Sequence, residues 1–202
     1  MPRTLLCTSL LTLSVLAGTV LAEPAPYPAC AACHGQNGQG NPDLNAPVLA
    51  GLDAGYLIRQ LNYYRQGVRG DHEMDPHGQQ MATLAKSLLN DQTDLQALAA
   101  YIQSLPVPAV QPVEGDLRRG NSYYQNNCGA CHGGKGEGNA AFDAPRLAGQ
   151  HPDYLKRQFL HFKQGIRGQH PKDKPGRRMA MMANTLPEET LDDVIAFISQ
   201  QP

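Results

Sequence analysis

The chain has 202 residues, of which 41% are hydrophobic and 17% charged. That balance excludes a disordered chain and suits one globular domain or two small ones. A formal net charge of −1 supplies no broad basic field for nucleic acid.

The first segment reads as an address rather than as part of the fold. Arg3 gives a positive start, Leu5 to Leu21 is largely apolar, and Val20-Leu21-Ala22 places small residues at the usual cleavage offsets. We read residues 1–22 as a cleaved secretory signal peptide, which places the mature protein in the periplasm. The apolar run is short and broken by Thr, Ser and Gly, which argues against a retained anchor. Cys7 lies inside this segment and is not placed as a lipoprotein cysteine. No other stretch is long enough to span a bilayer.

Beyond the signal, the cysteines are Cys30, Cys33, Cys128 and Cys131. They form two C-x-x-C pairs, each followed at once by histidine, at His34 and His132. C-x-x-C-H is the attachment signature of c-type haem. Positions i and i+3 share a helix face, so both sulfurs of a pair reach one haem edge. The adjacent histidine can then turn its imidazole to the iron. A zinc or dithiol site competes for one isolated motif, but two copies in an exported protein favour two covalent haem c groups.

The copies are spaced by 98 residues. The step relates Cys30 to Cys128, Gly40-Asn41 to Gly138-Asn139 and Ala46-Pro47 to Ala144-Pro145. It continues through Leu49-Ala50-Gly51 and Leu147-Ala148-Gly149, Arg59-Gln60 and Arg157-Gln158, and Arg69-Gly70 and Arg167-Gly168. Two tandem domains account for this.

After the first motif, Pro47 sits where its carbonyl could meet the His34 imidazole; a turn that merely shapes the crevice is an equal reading. Residues 53–66 then predict a helix, with Leu57, Leu61 and Tyr64 on one face and Asp53 as N-cap. Tyr63 and Tyr64 read as haem-wall or surface packing. Arg59 and Arg69 face either haem propionates or solvent. A loop with His72 and Met74 leads to Met81. Leu95, Leu98, Ala99 and Ile102 form the apolar face of a last helix. Three prolines between Leu105 and Gly115 exclude a helix there, so the mature chain divides into residues 23–106, a linker 107–114, and 115–202.

The second copy repeats the order. Leu155, Phe159 and Phe162 make its first face, and Leu191, Val194, Ile195 and Ile198 make its last at a step of 96. Thr185 and Glu188 predict a capping box at that start. No segment alternates like a strand, so the protein reads as all α.

The sixth iron ligand decides the chemistry, because methionine closes the iron and raises its potential. The 98-step pairs Met81 with Met179. Met74, Met181 and Met182 have no methionine partner and read as packing residues. His72 and His170 also obey the step, and ligation by two histidines is the rival assignment; a loop hydrogen bond is the alternative role for that pair. His77, His151 and His161 have no counterpart and are expected at the surface.

C-A-A-C-H-G and C-G-A-C-H-G, A-P-x-L-A-G, Y-L-x-R-Q, Q-G-x-R-G, and a methionine ahead of a short amphipathic helix resemble the dihaem cytochrome c4 family over nearly the whole mature chain. The resemblance implies two class I cytochrome c folds related by a pseudo-twofold, each wrapped around a covalent haem c. It implies thioethers at Cys30, Cys33, Cys128 and Cys131. It implies axial pairs of His34 with Met81 and His132 with Met179. It also implies a periplasmic electron carrier between a donor such as a quinol-oxidising complex and an acceptor such as a terminal oxidase, loosely associated with the membrane surface.

Residues 23–106 hold 4 Lys+Arg and 8 Asp+Glu, whereas residues 115–202 hold 12 and 9. The nets of −4 and +3 predict a dipole, with the basic half meeting an acidic partner and the acidic half a different one. Simple drift in surface charge is the alternative. A permanently bound subunit of a dehydrogenase or oxidase complex would carry the same haems. A dihaem enzyme needs an exchangeable or unusual axial ligand, and here each half has a matching methionine and no spare cysteine.

Overall fold

The computed structural model describes residues 21–202. Cys7 and nearly all of the expected signal peptide lie outside the described residues. The first half contains α1 (Tyr27–His34), a 3-10 turn (Pro42–Leu44), α2 (Ala54–Arg65), α3 (Pro76–Leu88) and α4 (Leu95–Ser104). The second contains α5 (Leu117–Asn127), α6 (Gly129–His132), a 3-10 turn (Ala140–Phe142), α7 (Pro152–Lys163), α8 (Lys174–Ala183) and α9 (Glu188–Ser199). Among the described residues the only β pairing is two isolated bridges, Asn41–Ala46 and Asn139–Ala144, again 98 apart. The protein is all α, built from two tandem cytochrome c domains.

Local chemistry sets the helix starts. Asp53, Asp75, Asp94, Asp116 and Asp173 each accept a backbone N–H three residues on, a cap that contributes about 1 kcal/mol. Asp53 is the expected cap of α2. α3 and α8 run through what reads in sequence as a loop; each starts at a buried aspartate followed by proline in the first turn. The capping box expected at Thr185 does not form. α9 begins after Pro187 without a side-chain cap, and the Thr185 hydroxyl donates back to the Met182 carbonyl instead. Pro187 pre-sets the extended backbone that precedes a helix, so the first turn starts there.

The first core gathers Tyr27, Leu57, Leu98, Ala99 and Ile102, joining α1, α2 and α4. The second gathers Tyr124, Leu186, Leu191, Val194, Ile195 and Ile198, with α5 packed along α9. In each, a tyrosine shortly before the haem motif, on α1 in the first half and on α5 in the second, meets an aromatic ring of the last helix. Tyr27 lies 4.8 Å from Tyr101 and Tyr124 lies 5.2 Å from Phe197, centroid to centroid. Tyr27 precedes its first motif cysteine by three residues and Tyr124 by four. The repeat therefore slips by one residue here, which hides the equivalence in the sequence.

Residues 106–114 carry no helix, and the chain crosses between the halves at Val107. A Cβ added at Gly51 would lie 2.2 Å from Val107 Cγ2, and one at Gly149 would lie 2.5 Å from Cγ1. Those glycines are 98 apart and both have left-handed backbone, φ 70° and 72°. One valine thus seals two equivalent turns. Gly51→Ala and Gly149→Ala meet both the wrong φ and the valine, so each is expected to cost about 1–3 kcal/mol in denaturant unfolding. Unchanged stability in both variants would contradict this packing.

Candidate functional site: two histidines between paired domains

α1 presents Cys30, Cys33 and His34 in its last two turns. Tyr27 Oη donates to the carbonyls of Gly35 and Gln36 at 3.2 Å, pinning the chain as it leaves the helix. The loop then folds back: Gly40 N–H reaches the His34 carbonyl at 2.8 Å, and Leu49 and Ala50 N–H reach the Gly38 carbonyl. This return delivers the Pro47 carbonyl to His34 Nδ1 at 2.9 Å. The second half repeats the device. Tyr124 Oη donates to Gly133 O at 2.7 Å, Gly138 N–H reaches His132 O, and His132 Nδ1 lies 2.9 Å from Pro145 O. Of the two roles read for these prolines, the carbonyl contact is the one formed.

A carbonyl can only accept, so Nδ1 carries the proton in both rings and Nε2 keeps its lone pair. Burial lowers both histidine pKa values, with the proline carbonyl opposing it. The rings are therefore held neutral, in the tautomer an iron ligand needs. Cys30, Cys33, Cys128 and Cys131 form no disulfide with one another. Burial raises the Cys30 pKa, and burial with Cys131 alongside pushes Cys128 up to about 11. That is the reverse of the depressed thiol of a dithiol oxidoreductase. Among the described residues no three His, Cys, Asp or Glu side chains gather as a metal site, so neither motif has the partners of a structural zinc.

Met81 lies on α3, half-buried, and packs with Cys30 against the first core. Met179 lies on α8 against Phe162, Ala180 and Ala183, while Cys128 packs on the other cluster of its half. Phe159 touches both clusters. His72 and His170 stay in loops, where each Nδ1 accepts a backbone N–H, from Met74 at 3.2 Å and Lys172 at 3.1 Å. Met74, Met181 and Met182 are not packing residues as expected: all three are exposed, because they fall on the outer side of the loop and of α8.

The four recurring arginines face neither solvent nor empty loop; they cross between domains. Arg59 donates to the side chain and carbonyl of Asp143, and Arg157 to those of Asn45, all at 2.9–3.0 Å. Arg69 bonds Gln60, Tyr154 and Gln158, and Arg167 bonds Gln158, Tyr56 and Gln60. Each partner set is the other shifted by 98, so the network has a pseudo-twofold. The guanidinium groups of Arg69 and Arg167 also lie 4.7 and 4.5 Å over the rings of Tyr64 and Phe162. All four arginines keep a buried Nε–H without an acceptor. Neutral sulfurs beside a lone-pair-bearing imidazole, with spare buried cationic donors for carboxylates, fit a haem in each half.

His161 corrects an expectation. It is buried because its helix face turns into the interface, where Nδ1 lies 3.8 Å from Asp75 Oδ1. Tyr63, its equivalent, donates across to the Lys172 carbonyl at 3.1 Å. His77 and His151 are half-buried rather than exposed. Gln60, Gln158, Tyr56 and Tyr154 are among the interface residues that sequence reading missed as such, and so is Gln150, whose amide bonds the N–H and carbonyl of Val48 at 2.9 Å; it has no counterpart in the repeat. The signal of the first four was available: polar side chains repeating at 98 within otherwise amphipathic helices.

The fold and paired sites define a tandem haem-c protein. The cytochrome c family model matches residues 24–106 and again 117–202. The chain belongs to the cytochrome c family, on the branch of the dihaem cytochromes c4, and it binds two covalent haem c groups. It is 32% identical to cytochrome c4 of Azotobacter vinelandii, over 80% of this chain and 83% of that one. It is 34% identical to the thiosulfate dehydrogenase electron acceptor of Stutzerimonas stutzeri, over 81% and 76%. The crystal structure of reduced recombinant cytochrome c4 from Pseudomonas stutzeri superposes with a TM-score of 0.71 at 26% identity, covering 86% of this chain and 94% of that one. This is a dihaem electron-transfer cytochrome.

Burial is the main cause that lowers the His161 pKa; Arg157, Arg167 and Arg69 add to it and Asp75 opposes. The unfolded chain takes up this proton near pH 6.5, the folded chain only at lower pH. Its contribution is therefore fully present above about pH 6.5 and is lost as pH falls below that. His161→Tyr, the residue found at Tyr63, removes this proton uptake. Its melting temperature should fall less between neutral and mildly acid pH than that of the wild-type holoprotein; parallel profiles would contradict the assignment.

Proposed function

We propose that this protein is a periplasmic carrier that passes single electrons between a respiratory donor and a terminal oxidase or other reductase, and is not itself an enzyme. The observation that carries this reading is a duplicated arrangement: a buried imidazole with Nδ1 tied to a proline carbonyl, and a half-buried methionine at equivalent positions of α3 and α8. Cys30, Cys33, Cys128 and Cys131 hold the two haems. His34 with Met81, and His132 with Met179, would ligate the two irons. The units are residues 23–106 and 115–202, joined by 107–114, behind the signal 1–22. Ligated in this way by the chain alone, each haem would supply one-electron redox chemistry and leave no position for a substrate.

The chain's own residues do the tuning. Pro47 and Pro145 orient the imidazoles and raise their basicity through Nδ1–H. The interface arginines place positive charge between the two halves, which would favour the reduced, less positive form of each haem. Partners are redox proteins, and one relative is named as the electron acceptor of a thiosulfate dehydrogenase. Among the described residues no helix is long and apolar enough to cross a membrane; association with a membrane would be at its surface.

Met81→Ala and Met179→Ala should each lower the potential of one haem by more than ~60 mV, a tenfold shift for one electron, and open that iron to cyanide. His72→Ala and His170→Ala should leave both potentials in place. A lowered potential in the histidine variants instead would transfer the sixth-ligand role to them. Reoxidation of the reduced wild-type protein by a purified terminal oxidase tests the carrier role itself, and turnover of a small substrate by the protein alone would overturn it.

A further inference from the structure

The charge difference between the halves is not spread over the surface. Residues 71–80 carry Asp71, Glu73 and Asp75 with no lysine or arginine; their equivalents 169–178 carry Lys172, Lys174, Arg177 and Arg178 against Asp173. That one segment goes from −3 to +3, and the remainder of the halves differs by a single charge. Uniform drift does not concentrate a difference in this way. Asp75 and Asp173 are buried caps, so the exposed change is from two acids to four bases.

The bases also sit where helix chemistry disfavours them. Lys174 opens α8 and Arg177 follows within its first turn, at the end where the macrodipole favours anions. α3 obeys that rule, with acids only in its lead-in and no base before Lys86. Lys174 and Arg177 make no ion pair or side-chain hydrogen bond among the described residues. A local rule broken without a compensating contact marks a functional surface.

Beside these bases lies exposed apolar surface. Met181 and Met182 are 66% and 42% exposed, and Phe142 is 48% exposed. Arg178 ties the patch together by donating to the Phe142 carbonyl at 3.0 Å, and it also pairs with the Asp143 carboxylate at 3.4 Å, so among the described residues Lys172, Lys174 and Arg177 are the rim bases without an acidic partner. Positions 174, 178, 181 and 182 share one helix face. The first half keeps part of the apolar surface, with Leu44 and Leu84 exposed at the positions of Phe142 and Met182 and Thr83 at that of Met181. It lacks the basic rim.

We propose that the outer face of α8, with Lys172, Lys174, Arg177 and Arg178 around Met181, Met182 and Phe142, is the docking surface for an acidic redox protein, and that the equivalent face of α3 does not accept that partner. This rests on the carrier reading above and adds which half meets which charge. A small apolar centre of flexible methionines within a charged rim suits a short-lived encounter: steering sets the on-rate and little desolvated charge holds the complex.

The test uses the dihaem holoprotein in its ferric form and a reduced plant-type [2Fe–2S] ferredoxin, an acidic one-electron donor that loses an electron as one haem iron becomes ferrous. In stopped flow at low salt, Lys174→Gln/Arg177→Gln should slow this transfer about tenfold and flatten its dependence on ionic strength, while reduction by neutral lumiflavin semiquinone stays within about twofold. Lys174→Glu/Arg177→Glu should slow it further, yet melt no lower than wild type, since acids suit that helix end. Wild-type rates and salt dependence in both variants would overturn the docking surface alone. Reduction of the wild type by lumiflavin but not by ferredoxin would overturn the carrier reading and the surface with it. Loss of binding to anionic lipid vesicles in the variants, with the ferredoxin rate unchanged, would assign the patch to a membrane and overturn the protein partner.

Discussion

A neutral imidazole, buried with one ring nitrogen committed to a proline carbonyl, fixes what each half of this protein can do. The commitment settles the tautomer, and the tautomer leaves the Nε2 lone pair free for an iron. Much of the surrounding structure serves that contact. The tyrosine hydroxyl pins the turn after the histidine, the glycine turns reverse the chain, and the Asn–Ala bridge sets the loop length that returns the proline. The last helix then buries the tyrosine ring against its own aromatic residue.

Two such units face each other through a polar interface rather than an oily one. Each arginine reaches across to the other domain, so neither half satisfies its own charges alone. Buried cations paired with neutral amides and phenols are costly to separate, which makes the relative placement of the haems a property of the whole chain. The scaffold is symmetric while the surface charge is not. Symmetry gives two similar electron sites; the asymmetry of one ten-residue segment gives each a different outside.

The sequence carried the domain count, the helical class and the haem motifs, because covalent attachment needs a fixed spacing and duplication printed that spacing twice. It carried the α2 cap, since Asp53 acts on its own neighbours. It did not reveal α3 and α8, because their glycines, prolines and charges resemble a loop; burial of the Asp75 and Asp173 caps makes helices of them. It also misplaced His161, and it did not reveal that the four arginines bond across the interface. Their environment is made by residues about 80–110 positions away, across a pseudo-twofold that no local pattern encodes.

The most direct test of the account is the absorption spectrum of the purified oxidised protein in the near infrared, with the haem-to-protein ratio taken from the same sample. Two haems per chain and a methionine–ferric charge-transfer band of full strength for both are predicted. A band at half strength, or none, would contradict methionine ligation at one or both irons.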